Sequence, residues 1–169
     1  TPDTTASGSV QKKNLHDYTY GITSDPLTQL GLATAALIHD IDHQGVSNGQ
    51  LVKEEAPVAI KYKNKSVAEQ NSFDIAWEIL MDPCYAELRS SICPSSEDLK
   101  RFRQIILNAV MATDIFDKEL KALRDSRWKK AFQSDGASSS SSLDKLQADN
   151  ETVCTNRKAT IVIEHIIQA

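Results

Sequence analysis

Apolar residues return every three or four positions along most of this chain, and no stretch alternates with the period of two that a half-buried strand requires. The first run, Leu27, Leu30, Gly31, Thr34, Leu37, Ile38 and Ile41, predicts a helix with one apolar stripe. Ser24 or Asp25 can cap it, Pro26 suits its first turn, and Gly45 predicts its end. Short helices are expected over Asn48 to Lys53 and Pro57 to Tyr62. Ser66-Val67-Ala68-Glu69 has the form of a capping box before a second long helix, with Phe73, Ala76, Trp77, Leu80 and Met81 on its buried face. Asp82-Pro83 stops that helix, and a short one around Tyr85, Leu88 and Ile92 follows. Ser95, Ser96, Glu97 and Asp98 open a third long helix, whose stripe is Leu99, Phe102, Ile106, Ala109, Val110 and Thr113. A further helix is predicted from about Asp117 to Phe132, carrying Leu120, Leu123 and Trp128. A last one carries Ala159, Val162, Ile163, Ile166 and Ile167. The fold class is all-α, a multi-helix bundle.

Between these helices the pattern fails in two places. Residues 1–17 are rich in Thr, Ser and Lys and read as a flexible leader or insert, and Ser134 to Ser142 reads as a serine-rich surface loop. Residues 18–169 then form one partial domain. A chain of 169 residues, 40% hydrophobic and 25% charged, is ordinary for a globular protein. Its net charge of −4 argues against a general binder of nucleic-acid polymers or anionic membranes. No apolar run approaches the length of a membrane span. Cys84, Cys93 and Cys154 lack zinc-knuckle spacing and read as reduced thiols of an intracellular protein, which gives the expectation of a cytoplasmic domain. The chain starts without Met and stops inside an apolar periodic run, so a fragment of a longer chain is expected.

Candidate chemistry concentrates in His39-Asp40-Ile41-Asp42-His43-Gln44-Gly45-Val46-Ser47-Asn48. If the first helix runs to Gly45, His39 and His43 lie one turn apart with Asp40 beside them, a donor set suited to a divalent metal ion. Asp42 points off this arc and reads as structural. His43 is either a ligand or a group orienting a metal-activated water. Two or three donors do not close a site, so other segments must complete it.

The spacing His39-Asp40-x-Asp42-His43-x-Gly45-x-x-Asn48 resembles the signature of the class I 3′,5′-cyclic nucleotide phosphodiesterases, within the HD-domain metal-dependent phosphohydrolases. Thr19-Tyr20-Gly21-Ile22-Thr23-Ser24-Asp25-Pro26-Leu27, Lys65-Ser66-Val67-Ala68-Glu69-Gln70-Asn71, Met111-Ala112-Thr113-Asp114 and Thr155-Asn156-Arg157-Lys158-Ala159 resemble further family segments in the right order. The resemblance implies His39 and Asp40 as metal ligands, with Asp40 bridging Zn2+ and a second ion, Mg2+ or Mn2+. It implies His43 as the catalytic helper beside a metal-activated hydroxide, Glu69 and Thr113 holding waters on the second ion, and Asn48 supporting the pocket wall. The implied reaction is hydrolysis of cAMP or cGMP to the 5′-monophosphate in signal transduction. The implied partner is the cyclic nucleotide, with regulatory modules or dimerisation in a full chain. Glu69 has a competing role in the capping box, and Asp114 reads as a helix-end residue. The family's His-Asn-x-x-His segment does not occur, and the aspartate expected after Ala169 lies beyond the chain, so little activity is expected of this piece alone. Gln70-Asn71 stand where many members carry histidines. Another HD-domain phosphohydrolase, or a non-catalytic helical binding domain, are the competing readings.

Overall fold

The computed structural model describes residues 15–132, 155, 158–165 and 167. Among these there is no strand, and the helices follow the predicted order. Helix α1 spans Pro26–Ile38, α2 Asn48–Lys53, α3 Pro57–Lys61, α4 Val67–Met81, α5 Ala86–Ile92, α6 Ser96–Ala112 and α7 Lys118–Phe132. Short 3-10 turns occupy Ile22–Ser24 and Pro83–Tyr85, and residues 158–165 are helical again. The rest of the predicted leader and the serine-rich loop at 134–142 lie outside the described residues. Residues 15–17, expected to be loop, belong to a helical turn at 15–18.

The core forms where α1, α4 and α6 meet. Ala35, Ile38, Phe73, Phe102, Ile106, Ala109 and Val110 are buried together, with Trp77, Leu80 and Ile41 packed against them. Helices α1 and α6 cross closely because Gly31 offers no side chain: a Cβ there would stand 2.7 Å from Ile105 Cγ2. That crossing alters the predicted stripe of α1. The buried face is Thr28, Gly31, Ala35 and Ile38, while Leu37 is 83% exposed and Leu30 is also exposed. Leu51, Ala59, Tyr62 and Val67 form a second, smaller cluster under α2 and α3. Tyr62 Oη donates to Asp74 Oδ2 at 2.9 Å and ties that cluster to α4.

Two helix ends differ from expectation. Asp25 does not cap α1; its carboxylate accepts from Thr28 and from Arg101 on α6. Burial alone would raise the Asp25 pKa, but the bonds from Thr28 and Arg101 and the guanidinium charge hold it below the ordinary value. Ser66 makes no capping bond. It sits at φ 38° with its hydroxyl buried and unpaired, so the capping box is absent at α4. The capping box that does form lies at α6, where Ser95 and Asp98 bond reciprocally. On α7 the buried residues are Arg124 and Ala131, whereas the predicted Leu123 is exposed. Arg124 Nη2 donates to the Asp114 carbonyl at 3.5 Å, which draws its side chain inward. Cys84 is exposed, Cys93 is buried, and both are free thiols. No helix among the described residues is long and apolar enough to cross a membrane.

Candidate metal and catalytic site

Helix α1 stops earlier than its sequence suggests. It ends at Ile38 with His39 as C-cap, and residues 39–42 form turns instead of a last helical turn. The Ile41 N–H bonds the Ile38 carbonyl, three residues back, and Asp42 then takes φ +58°, so the helical path does not continue. The His/Asp cluster therefore sits in a tight turn just past the helix, and the one-turn stacking of His39 on His43 does not occur. The turn is held sideways by α4. Asn71 Nδ2 donates to Asp42 Oδ2 at 3.0 Å, and Ser72 Oγ donates to the Ile41 carbonyl at 2.7 Å.

The two histidines have opposite wiring. His39 Nδ1 lies 2.9 Å from the Ala36 carbonyl. A carbonyl only accepts, so Nδ1 carries a proton and the neutral ring keeps its lone pair on Nε2. That Nε2 lies 3.2 Å from Asp40 Oδ2. Two acceptors thus converge at the open side of the turn, and a cation between them satisfies both. The donor set, imidazole nitrogen beside carboxylate oxygen, fits a divalent metal ion. His43 reads the other way round. Its Nδ1 accepts the Gly45 N–H at 3.1 Å, which leaves the proton of the neutral ring on Nε2, as a donor.

Behind the turn, Asn48, Glu69 and Asp114 gather from three elements. Asn48 Nδ2 donates to Glu69 Oε2 at 2.8 Å and lies 3.5 Å from Asp114 Oδ2. Asp114 is buried, and its Oδ1 accepts from the backbone N–H groups of Phe116 and Asp117. It does end a helix, as its position suggested, but it also faces the acidic cluster, which sequence reading did not anticipate. Glu69 is free of Ser66. Burial pushes its pKa up; the Asn48 hydrogen bond and its own backbone N–H pull it down, Asp114's charge raises it again and His43 lowers it. Thr113 C-caps α6, and its hydroxyl donates to the Val110 carbonyl at 2.6 Å. His39, Asp40 and His43 thus share one turn, with Glu69, Asn48 and Asp114 beside it. Among the described residues no three His, Cys, Asp or Glu side chains converge into a ready metal cage.

Residues 8–168 match the family model described as 3′5′-cyclic nucleotide phosphodiesterase. The chain belongs to that family. Over 105 residues it is 34% identical to the human cGMP-inhibited 3′,5′-cyclic phosphodiesterase 3A, covering 60% of this chain and 9% of the relative. It is 33% identical over 104 residues to a probable 3′,5′-cyclic-AMP phosphodiesterase of Caenorhabditis elegans, covering 59% of this chain and 14% of that protein. This phosphodiesterase-family chain therefore spans roughly a tenth of the length of such relatives. Among solved structures, the phosphodiesterase domain of a rhodopsin phosphodiesterase fusion protein from the choanoflagellate Salpingoeca rosetta shares its fold. The TM-score is 0.57 at 23% identity, over 84% of this chain and 40% of that one. The all-α reading holds, and membership implies divalent-metal dependence in general.

Proposed function

We propose that this chain contributes half of the active site of a 3′,5′-cyclic nucleotide phosphodiesterase, and that His39 and Asp40 are metal ligands within it. The observation that carries the reading is the convergence of His39 Nε2 and Asp40 Oδ2 at 3.2 Å, with the opposite ring nitrogen of His39 committed to a backbone carbonyl. On the basis of family membership we assign Zn2+ and a second divalent ion, Mg2+ or Mn2+, to this site, where His39 and Asp40 would help hold them. Bound there, divalent ions lower the pKa of water and draw charge from a phosphoryl oxygen. The residues of the chain do the positioning. Asp40 and His39 present fixed donors on a turn that cannot drift from α4. His43 holds a proton at Nε2, available to an oxygen at the centre. The family resemblance assigns Glu69 and Thr113 to hold water on the second ion.

In the reaction, the oxygen of water adds to phosphorus and the bond to the 3′ oxygen breaks. That oxygen takes a proton from an acid outside the described residues, giving the 5′-monophosphate. The substrate is cAMP, cGMP or both, and the compartment that matches it is the cytoplasm. The test is hydrolysis of each nucleotide by the full-length chain, with and without chelator, for wild type and Asp40→Ala. Chelator-sensitive turnover that the substitution abolishes is expected; full turnover in Asp40→Ala refutes the metal assignment.

A further inference from the structure

Asn48 opens α2 but does not cap it. Ser47 performs that task, accepting the Gln50 N–H. The Asn48 side chain instead reaches across to α4 and to the end of α6. Its Oδ1 accepts the Ala68 N–H at 2.9 Å, taking one of the free donors of α4 that Ser66 leaves unserved. Its Nδ2 carries two hydrogens. One goes to Glu69 Oε2 at 2.8 Å, and the other points to Asp114 Oδ2 at 3.5 Å. Two carboxylates held this close repel unless a donor separates them, and Asp114, 4% exposed, has little access to water to screen it. The other Asp114 oxygen is already occupied by Phe116 and Asp117.

We infer that Asn48 is a positioning residue for the second-ion side of the site, its carboxamide fixing Glu69 and Asp114 against each other while anchoring the start of α4. The inference rests on the function proposed above only for the purpose Glu69 serves. The bridge itself is a property of the fold. Asn48 follows three residues after Gly45, whose N–H donates to His43 Nδ1, so one short segment joins the acidic pair to the metal turn.

Asn48→Asp separates the two jobs. It keeps an oxygen for the Ala68 N–H but removes both amide hydrogens and puts a third carboxylate against Glu69 and Asp114. Asp114→Asn added to it returns an amide donor and restores two carboxylates, and its Oδ1 still serves Phe116 and Asp117. The full-length protein is titrated with Mn2+ alone, followed by electron paramagnetic resonance, and cyclic nucleotide turnover is measured in parallel. For Asn48→Asp, Mn2+ affinity and kcat are each expected to fall by about tenfold or more, the scale for residues that orient metal ligands. KM is expected to stay within about twofold, since the substrate contacts are untouched. The double variant is expected to recover about threefold or more of the lost Mn2+ affinity, as coupled neighbours do. It also carries the test if Asn48→Asp alone does not fold. Wild-type Mn2+ affinity in Asn48→Asp, or a double variant no better than the single, overturns the inference. Absence of turnover in the wild type refutes the phosphodiesterase reading instead, and the Mn2+ comparison still decides the role of Asn48.

Discussion

Replacing Gly31 by Ala tests the packing that mounts the metal turn. A Cβ at Gly31 would lie 2.7 Å from Ile105 Cγ2, 3.3 Å from Ile105 Cβ and 3.7 Å from Phe102 Cδ2. Carbon atoms rest at about 3.5–4.0 Å, so α1 and α6 must part by roughly 1 Å to admit the methyl group. Ile105 cannot swing clear easily, because its Cγ2 is fixed to a branched Cβ. Alanine gains about 1 kcal/mol of helix propensity over glycine, and overpacking costs about 1–3 kcal/mol. The single variant is therefore destabilised by about 0–2 kcal/mol, which alone is a weak discriminator. A double-mutant cycle is stronger. Ile105→Ala removes the offending Cγ2 and costs roughly 1–3 kcal/mol for a half-buried side chain. In Gly31→Ala/Ile105→Ala the new methyl occupies the vacated space, so the double variant should be more stable than the sum of the singles by about 1–3 kcal/mol. Urea unfolding with unchanged m-values supplies the four free energies. Additivity within about 0.5 kcal/mol refutes the close α1–α6 crossing.

Ser66→Gly should stabilise the protein by about 0.5–1 kcal/mol, because it relieves a left-handed non-glycine residue and deletes an unpaired buried hydroxyl; a functional capping box predicts a small loss in the same unfolding experiment. Phe102→Ala, which empties the middle of the core, should cost about 3–5 kcal/mol in urea unfolding. Glu164 gives a pH signature. Burial raises its pKa, and the charges of Arg127, Arg124 and His165 only partly offset this. A carboxyl whose folded pKa is raised binds protons better when folded, so its contribution favours folding at low pH and is lost as pH rises from its unfolded value through the folded one. Glu164→Gln should remove that component, giving a flatter fall of unfolding free energy as pH rises above the ordinary glutamate value; an unchanged slope contradicts the assignment.

The helices were legible because their apolar spacing and stop signals act locally. Asn48–Lys53 appears as expected, Asp82-Pro83 stops α4, and the short helix around Leu88 and Ile92 follows it. The failures share a cause: side chains that prefer a distant partner to their own helix end. Asp25 leaves its cap for Arg101, and Glu69 leaves Ser66 for Asn48, 21 residues away. Leu37 fits the stripe by spacing, yet the glycine crossing rotates α1 and exposes it. His39, Asp40 and His43 were identifiable from their density within five positions. The end of α1 before them was not, because Asp42 adopts a positive φ that aspartate tolerates but its sequence context does not announce. Asp114 was read as a helix-end residue, and only the folded chain brings its second oxygen to Asn48.

The fastening of the metal turn by Asn71 and Ser72 also governs which length changes this chain can accept. Glu69, Asn71 and Ser72 lie within four consecutive positions of α4, and they serve Asn48, Asp42 and Ile41 respectively. One residue added or removed before Glu69 shifts all three in step and can be absorbed in the approach from Lys63 to Ser66. One residue added between Glu69 and Asn71 turns the latter pair by about 100° and strips both fasteners from the turn while leaving the helix intact. The loop from Gly45 to Ser47 carries fasteners of its own, the Gly45 N–H donating to His43 Nδ1 and Ser47 Oγ accepting the Gln50 N–H, so a length change there separates Asn48 from the metal turn.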